Sequence, residues 1–284
     1  MLTQKSLYLY NCERIQDTIN HDPEYLAFEE QWVSAIIESV DGVGDDFGYR
    51  DLVNYFDRLV EEESADEPES AAYVSKSMSL DEFRVMVQEF AVDGLTEAQV
   101  FYYIMPRLHL EAQMPMLRIL IDEFGSANPN RMHTGLYCKL LKELGMPSTA
   151  SFYIDKIDDV SYEFLNMYFW LTLRADDPSY FVGALTYLET MIPVVFPCYV
   201  DACKRLGIEA HQYYSEHCHI DDFHAVEGKR IFKAMERTGT LNARKAWLGV
   251  KLSSVVTNKV FDNAVNVARC SSKRTDDSET LTEA

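Results

Sequence analysis

The sequence predicts an all-α protein with a single helical domain over residues 1–270. Apolar residues recur at intervals of three and four through most of the chain, as they do on one face of a helix. Strict alternation of apolar and polar residues, which is typical of strands, is rare. With 284 residues, of which 47% are hydrophobic and 25% charged, the chain is long enough to bury a substantial core.

Turn-forming residues divide this pattern into ten predicted helices. Asn128 followed by Pro129 is a good helix start, and Gly145 with Pro147 is a good stop. Two prolines lie inside each of the two long apolar patterns, where they should cause kinks or breaks. The predicted helices cover residues 23–40, 48–62, 79–92, 96–124, 129–144, 159–174, 178–206, 209–219, 220–238 and 241–269.

Two segments lack helical periodicity. Residues 61–70, EEESADEPES, contain six acids and a proline, which favours a solvated acidic loop over a domain linker. From Ser271 onward large apolar residues become scarce, so residues 271–284 are predicted to form a disordered tail.

The net charge excludes some classes of partner. Lys and Arg number 26 against 46 Asp and Glu, which gives −20, so the surface should repel nucleic acid and anionic lipid. The six cysteines are scattered without a C-x-x-C pair, and the N-terminus has no export-signal pattern. We therefore expect a cytoplasmic protein with no nucleic-acid or membrane partner. Residues 181–200 are apolar enough to consider as a membrane span, but a glutamate and two prolines favour a buried core helix.

A histidine cluster is the first sign of function. Four of the seven histidines lie within fourteen residues. On a helix His217, Asp221 and His224 share one face, whereas His219 and Asp222 point away by about 160° and 140°. The three residues could form a metal-binding face. A solvent-exposed ladder of His and Asp explains the spacing equally well.

Glu189 is a lone carboxylate in the apolar run 181–200, which contains no basic residue. A buried carboxylate must be paired, protonated or bound to a metal. Its helical face is almost entirely apolar, so the side chain should point into the bundle. A protonated or hydrogen-bonded core glutamate is the alternative.

Glu123 and His133 are a pair of further candidate ligands. Glu123 continues an apolar helical face but lies at the end of its helix, where the helix dipole disfavours an anion. His133 opens the next predicted helix, on the face that continues to Leu136, so a short turn could bring the two together. Either residue alone is more often structural than a ligand.

Together the candidates supply three imidazoles and three carboxylates, a donor set that suits iron or manganese better than zinc. Two divalent ions would bring four positive charges against three negative ones, so a dinuclear centre would be nearly neutral. The ferritin-like arrangement is disfavoured because it needs two Glu-x-x-His pairs, and this sequence has only Glu216 with His219.

The combined pattern resembles the heme-oxygenase-like diiron oxidases and oxygenases, also called iron-containing redox enzymes. The motif of that family is a Glu and a His separated by nine residues, a second Glu, and then His-x3-Asp-x2-His. The resemblance spans about residues 95–235, the expected metal-site core. It implies a bundle of about seven core helices that holds two Fe(II) ions and uses O2 as co-substrate. The implied metal-binding and catalytic residues are Glu123, His133, Glu189, His217, Asp221 and His224.

The resemblance also implies a reaction class. Members desaturate, cyclise, fragment or N-oxygenate amino acids and related small metabolites in biosynthesis, with electrons from an external donor or the substrate. A fatty-acid decarboxylase of the same family that forms a terminal alkene is an alternative, and a non-catalytic helical scaffold or chaperone is another. An amino-acid substrate would need a partner for its carboxylate, for which Arg107, Arg118 and Arg174 are candidates. A homodimer is a further expectation.

Overall fold

The fold is entirely helical over the part of the chain that is described. The computed structural model describes the backbone of residues 2–16 and 22–280 and the side chains of residues 2–12 and 22–271, and no strand occurs within these ranges. The predicted all-α class is confirmed. Two 3₁₀ helices, Gln99–Arg107 and Gly125–Ala127, accompany the α-helices α1 Gln4–Gln16, α2 Pro23–Val40, α3 Tyr49–Ser64, α4 Glu69–Lys76, α5 Leu80–Glu89, α6 Ala91–Gly94, α7 Leu110–Glu123, α8 His133–Glu143, α9 Ala150–Tyr153, α10 Ser161–Leu173, α11 Ser179–Val195, α12 Pro197–Leu206, α13 Gln212–Thr238 and α14 Ala243–Thr280.

The structure divides two parts of the chain differently from the prediction. The pattern over 96–124 becomes the 3₁₀ helix Gln99–Arg107 and α7, with Pro106 inside the 3₁₀ helix. The predicted helices 209–219 and 220–238 are instead one continuous helix, α13. No glycine or proline lies near residue 220 to interrupt it.

The two segments that lack periodicity are partly helical. In the acidic segment 61–70, α3 continues to Ser64 and α4 begins at Glu69, so only residues 65–68 are irregular. At the C-terminus α14 continues over residues 271–280 of the predicted tail, and residues 281–284 lie outside the described residues. Disorder of this tail stays a prediction.

The core is organised around α11, which packs closely against α14. A Cβ atom on Gly183 would lie 1.9 Å from the carbonyl oxygen of Ala246, so only glycine permits this approach. Phe181 and Val182 on α11 and Val250 on α14 are fully buried. The central position of α11 puts the side chain of Glu189 inside the bundle.

Residues Ser179–Leu206 are long and apolar enough to cross a membrane by length and composition. In the structure they form α11 and α12, with Pro197 opening the second helix. Most of α11 is buried within the bundle, as the sequence predicted for residues 181–200.

Candidate metal centre

The six candidate ligands come together in the interior of the bundle. Four helices contribute them: α7, α8, α11 and α13. None is more than 7% exposed, and the set consists of Glu123, His133, Glu189, His217, Asp221 and His224.

These six side chains and Glu97 fall into two groups that share Glu123. Within each group one potential ligand atom per residue lies within 4.8 Å of all the others. A single divalent ion could contact all four residues of a group after small side-chain adjustments, because such ions lie about 2.0–2.2 Å from their N and O ligands. Glu123 therefore offers a carboxylate oxygen to both groups. The first group is Glu97, Glu123, His133 and His217, and the second is Glu123, Glu189, Asp221 and His224.

The α13 face has the predicted register. His217, Asp221 and His224 are buried, whereas His219 and Asp222 are exposed. Because the helix is continuous from Gln212 to Thr238, the spacing i, i+4, i+7 brings the three buried side chains to the same side.

A left-handed turn after α7 brings Glu123 to His133. Gly125, Ser126 and Ala127 all have positive φ, at 57°, 54° and 63°. This turn reverses the chain so that Nδ1 of His133 lies 2.9 Å from Oε2 of Glu123. A Cβ on Gly125 would lie 2.4 Å from the backbone nitrogen of Met132. Glycine is needed here both for its φ and for the lack of a side chain.

We expect Gly125→Ala to lower the free energy of unfolding by roughly 3 kcal/mol or more, since backbone strain and a steric clash act together. Gly145→Ala is the matched control, because Gly145 has φ 72° but a Cβ there meets nothing within 4 Å. Its cost should be about 1 kcal/mol. Urea denaturation of both metal-free variants measures the difference. Equal losses would show that the close contact at Gly125 does not matter.

Hydrogen bonds orient the histidines toward the centre of the cluster. Nδ1 of His217 lies 2.7 Å from the carbonyl oxygen of Tyr213, to which it must donate because a carbonyl only accepts. Nε2 lies 3.1 Å from Oε1 of Glu97, to which it donates while the ring is protonated, and loss of that proton would free its lone pair for a metal. Nδ1 of His224 lies 3.1 Å from Oε2 of Glu189 and 3.2 Å from Oδ1 of Asp221.

The charges in this cluster are tightly coupled. Burial disfavours the charged form of an imidazole. At His217 the negative charge of Glu97 outweighs this effect and raises the pKa of His217 to about 10. Burial is likewise outweighed at His224, where Glu189 and Asp221 raise the pKa to about 11. Burial raises the pKa of Glu189 to about 7, although His224 opposes the shift. Protonated histidines therefore balance the carboxylates in the metal-free protein.

The chemistry of this set fits divalent metal ions. Neither carboxylate oxygen of Asp221 makes a well-aligned hydrogen bond, although Oδ1 lies 3.2 Å from Nδ1 of His224. Oε2 of Glu97 and Nε2 of His224 are buried without a hydrogen-bond partner in the described part of the chain. Buried polar atoms without partners are energetically costly, and a cation would satisfy them. The four carboxylates of the two groups carry four negative charges, equal to the positive charge of two divalent ions.

Binding of Mn²⁺ or Fe²⁺ at pH 7 is expected to release about two protons or more per chain, because a metal needs neutral imidazole. His217 and His224, with pKa values of about 10 and about 11, are protonated at that pH before the metal binds. Metal affinity should therefore rise as the pH rises toward these values. Calorimetry under anaerobic conditions in two buffers of different ionisation enthalpy counts the protons. Binding without proton release would show that the histidines are not ligands.

Glu97 is the member of the cluster that the sequence did not single out. It lies outside regular helix, next to Ala98, which has a φ of 58°. Helical periodicity does not determine the direction of a side chain there. The charge balance was one available signal. The three carboxylates among the six predicted ligands leave two divalent ions with one positive charge in excess, and the carboxylate of Glu97 neutralises that charge.

A cavity of about 860 Å³ adjoins the cluster, and Glu97, Glu123, Glu189 and His217 form part of its wall. None of the three arginines proposed as carboxylate partners lines this cavity. Arg107 donates to the carbonyl oxygens of Leu171 and Thr172 at 3.2 and 2.9 Å. Arg174 pairs with Glu29, and Arg118 with Glu227. The expectation that one of them faces the substrate is not met in this structure.

Comparison with known proteins agrees with this geometry. A stretch of 150 residues is 26% identical to a nitrosourea synthase from Streptomyces achromogenes subsp. streptozoticus and covers 50% of this chain and 30% of that protein. The chain thus matches less than a third of this relative's length. Residues 84–254 match the family model for iron-containing redox enzymes. That range is more than half of the chain and includes every residue of the cluster, so the chain belongs to the iron-containing redox enzyme family.

Proposed function

We propose that this protein is a diiron, O2-dependent oxidoreductase that acts on a small nitrogen-containing metabolite. The observation that carries the proposal is the position of Glu123, which belongs to both groups of buried His and carboxylate side chains. A mononuclear site would not need two such groups. The similarity to a nitrosourea synthase supports a nitrogen-containing substrate.

Each group of residues would hold one iron. Glu97, His133 and His217 would hold the first ion, and Glu189, Asp221 and His224 the second. Glu123 would contribute to both groups. When bound, the pair of irons supplies the redox chemistry that reduces O2. The backbone carbonyl oxygen of Tyr213 accepts a hydrogen bond from Nδ1 of His217, which leaves Nε2 as the atom that would bind a metal.

Asp93 is suited to hold a proton beside the centre. It lines the cavity, and burial raises its pKa well above the usual range, with a further contribution from Glu97. The raised pKa favours the protonated form of this carboxyl group, which can donate a hydrogen bond into the cavity. Electrons would come from an external donor or from the substrate.

An oxygen-pulse experiment tests the proposal. The protein is loaded anaerobically with two equivalents of Fe(II), and O2 consumption and absorbance are followed after mixing with oxygenated buffer. We expect rapid, protein-dependent oxidation of the bound iron, and Asp221→Ala should abolish it. Bound iron that reacts with O2 no faster than free iron would contradict the proposed function. A protein that binds no iron would instead favour a helical scaffold.

A further inference from the structure

The wall of the cavity beside the candidate metal centre is acidic. No Lys or Arg from the described ranges 2–12 and 22–271 contributes to it. A buried carboxylate on a ligand normally needs a cationic partner or several hydrogen-bond donors. The acids of the wall are Glu63, Asp93, Glu97, Glu123, Glu189 and Asp262. Glu97, Glu123 and Glu189 belong to the candidate metal centre, which leaves Glu63, Asp93 and Asp262 outside it.

The metal ions themselves would not supply the missing positive charge. The four carboxylates of the two groups already neutralise two divalent ions. A substrate carboxylate would therefore add an uncompensated negative charge, close to the acids of the wall. The net charge of −20 works in the same direction, because it attracts cations to the molecule and repels anions.

Glu63 is the wall carboxylate best placed to receive a cation away from the metal centre. It is half-buried, its Oε2 accepts a hydrogen bond from Oη of Tyr187 at 2.5 Å, and its Oε1 accepts one from Oγ of Ser254 at 2.8 Å. No Lys or Arg of the described chain pairs with it. A carboxylate has about four lone-pair positions, so these two bonds fix its orientation and leave acceptor capacity for a ligand.

The rest of the wall suits an organic cation. Aromatic rings form much of it, among them Phe164, Tyr187 and Phe261. Ring faces attract ammonium groups and pack against apolar bodies. Tyr168 adds a polar contact point, since it is 1% exposed and lines the cavity, and its hydroxyl makes no well-aligned hydrogen bond although Ser253 lies beside it. This hydroxyl has capacity for a hydrogen bond to a ligand in the cavity.

We propose that the substrate is an amine without a free carboxylate, whose cationic nitrogen pairs with Glu63 and whose aromatic or apolar body fills the cavity. The inference rests on the proposed function and narrows its substrate class. It separates this protein from enzymes that bind free amino acids or fatty acids, both of which carry a carboxylate that this wall does not neutralise.

Binding of matched ligands tests the inference. 2-Phenylethylamine, 3-phenylpropanoate and phenylalanine share the same phenylalkyl body. The first carries an amine, the second a carboxylate, and phenylalanine carries both. Calorimetry on protein loaded anaerobically with Fe(II) avoids turnover, and octylamine with octanoate repeats the comparison for a chain-like body. We expect each amine to bind at least ~10-fold more tightly than its acid, with phenylalanine in between.

Variants then locate the cation. Glu63→Gln should weaken amine binding ~10-fold and leave the acids unchanged or slightly improved. Glu61→Gln on the same helix is the control for charge, because Glu61 is exposed and does not line the cavity. Ser254→Ala removes a hydrogen bond to Glu63 but keeps its charge, so it should retain the amine preference. A purely structural role of Glu63 would make Ser254→Ala behave like Glu63→Gln.

Several results would overturn the inference. They are acids that bind as tightly as amines, amines that do not bind at millimolar concentration, and a Glu63→Gln variant with unchanged amine affinity. The ligand series on the wild-type protein decides the question even if Glu63→Gln does not fold. Iron content is measured on the same samples. Two bound irons without an amine preference would overturn this inference alone, whereas an amine preference without iron would overturn only the proposed function.

Discussion

Glu123→Ala is expected to retain no stably bound iron after desalting, whereas Glu189→Gln should retain one ion per chain. Glu123 belongs to both groups of candidate ligands, and Glu189 belongs to one. An amide is a poor substitute for an anionic ligand, although it has the shape of a neutral carboxyl group. Both variants should lose O2-dependent turnover by roughly 100-fold or more, because each lacks a complete pair of ions.

The comparison has a matched control on α13. Glu216 is exposed and belongs to neither group, so Glu216→Gln should keep two irons. If Glu123→Ala retained one iron, Glu123 would belong to a single subsite. If Glu189→Gln retained two irons and full activity, Glu189 would be a protonated core acid, as its pKa of about 7 in the metal-free protein permits.

Asp221→Ala should remove turnover almost completely, by roughly 100-fold or more, while Asp222→Ala should behave like the wild type. Asp221 is fully buried, and neither of its oxygens makes a well-aligned hydrogen bond in the described chain, although Oδ1 lies 3.2 Å from Nδ1 of His224. Asp222 is exposed. Burial raises the pKa of Asp221, so its charged form is disfavoured in the metal-free fold. The metal-free Asp221→Ala protein should therefore keep or gain thermal stability even though it loses function.

Steady-state turnover and metal-free melting temperature of the two variants provide the test. Loss of function with unchanged or increased stability would identify Asp221 as a residue retained for the metal rather than for folding. If Asp222→Ala were the inactive variant, the assignment of the α13 face would be wrong. If Asp221→Ala unfolded the metal-free protein, Asp221 would have a structural role.

Regular helices made most of the site predictable. The rotation of about 100° per residue determines which side chains share a face, so His217, Asp221 and His224 could be grouped before their burial was known. Glu189 was identifiable because a carboxylate inside an apolar helix needs a partner. Helix continuity was harder to judge from the sequence, and the predicted break near residue 220 was wrong because α13 is continuous there. The error did not change which residues share the buried face.

Irregular backbone and long side chains account for what was missed. Glu97 lies in a segment with a left-handed residue beside it, and no periodicity defines its direction. The arginines could not be assigned because a guanidinium group reaches far from its backbone. In the structure Arg107 donates to carbonyl oxygens at the end of α10, and none of the three arginines lines the cavity beside the cluster.

An anaerobic titration of the wild-type protein with Fe(II), followed by removal of unbound iron and elemental analysis, tests the central claim most directly. Two groups of ligands that share Glu123 predict a plateau at about two irons per chain. A reproducible plateau at one iron, or the absence of stable binding, would contradict the dinuclear centre.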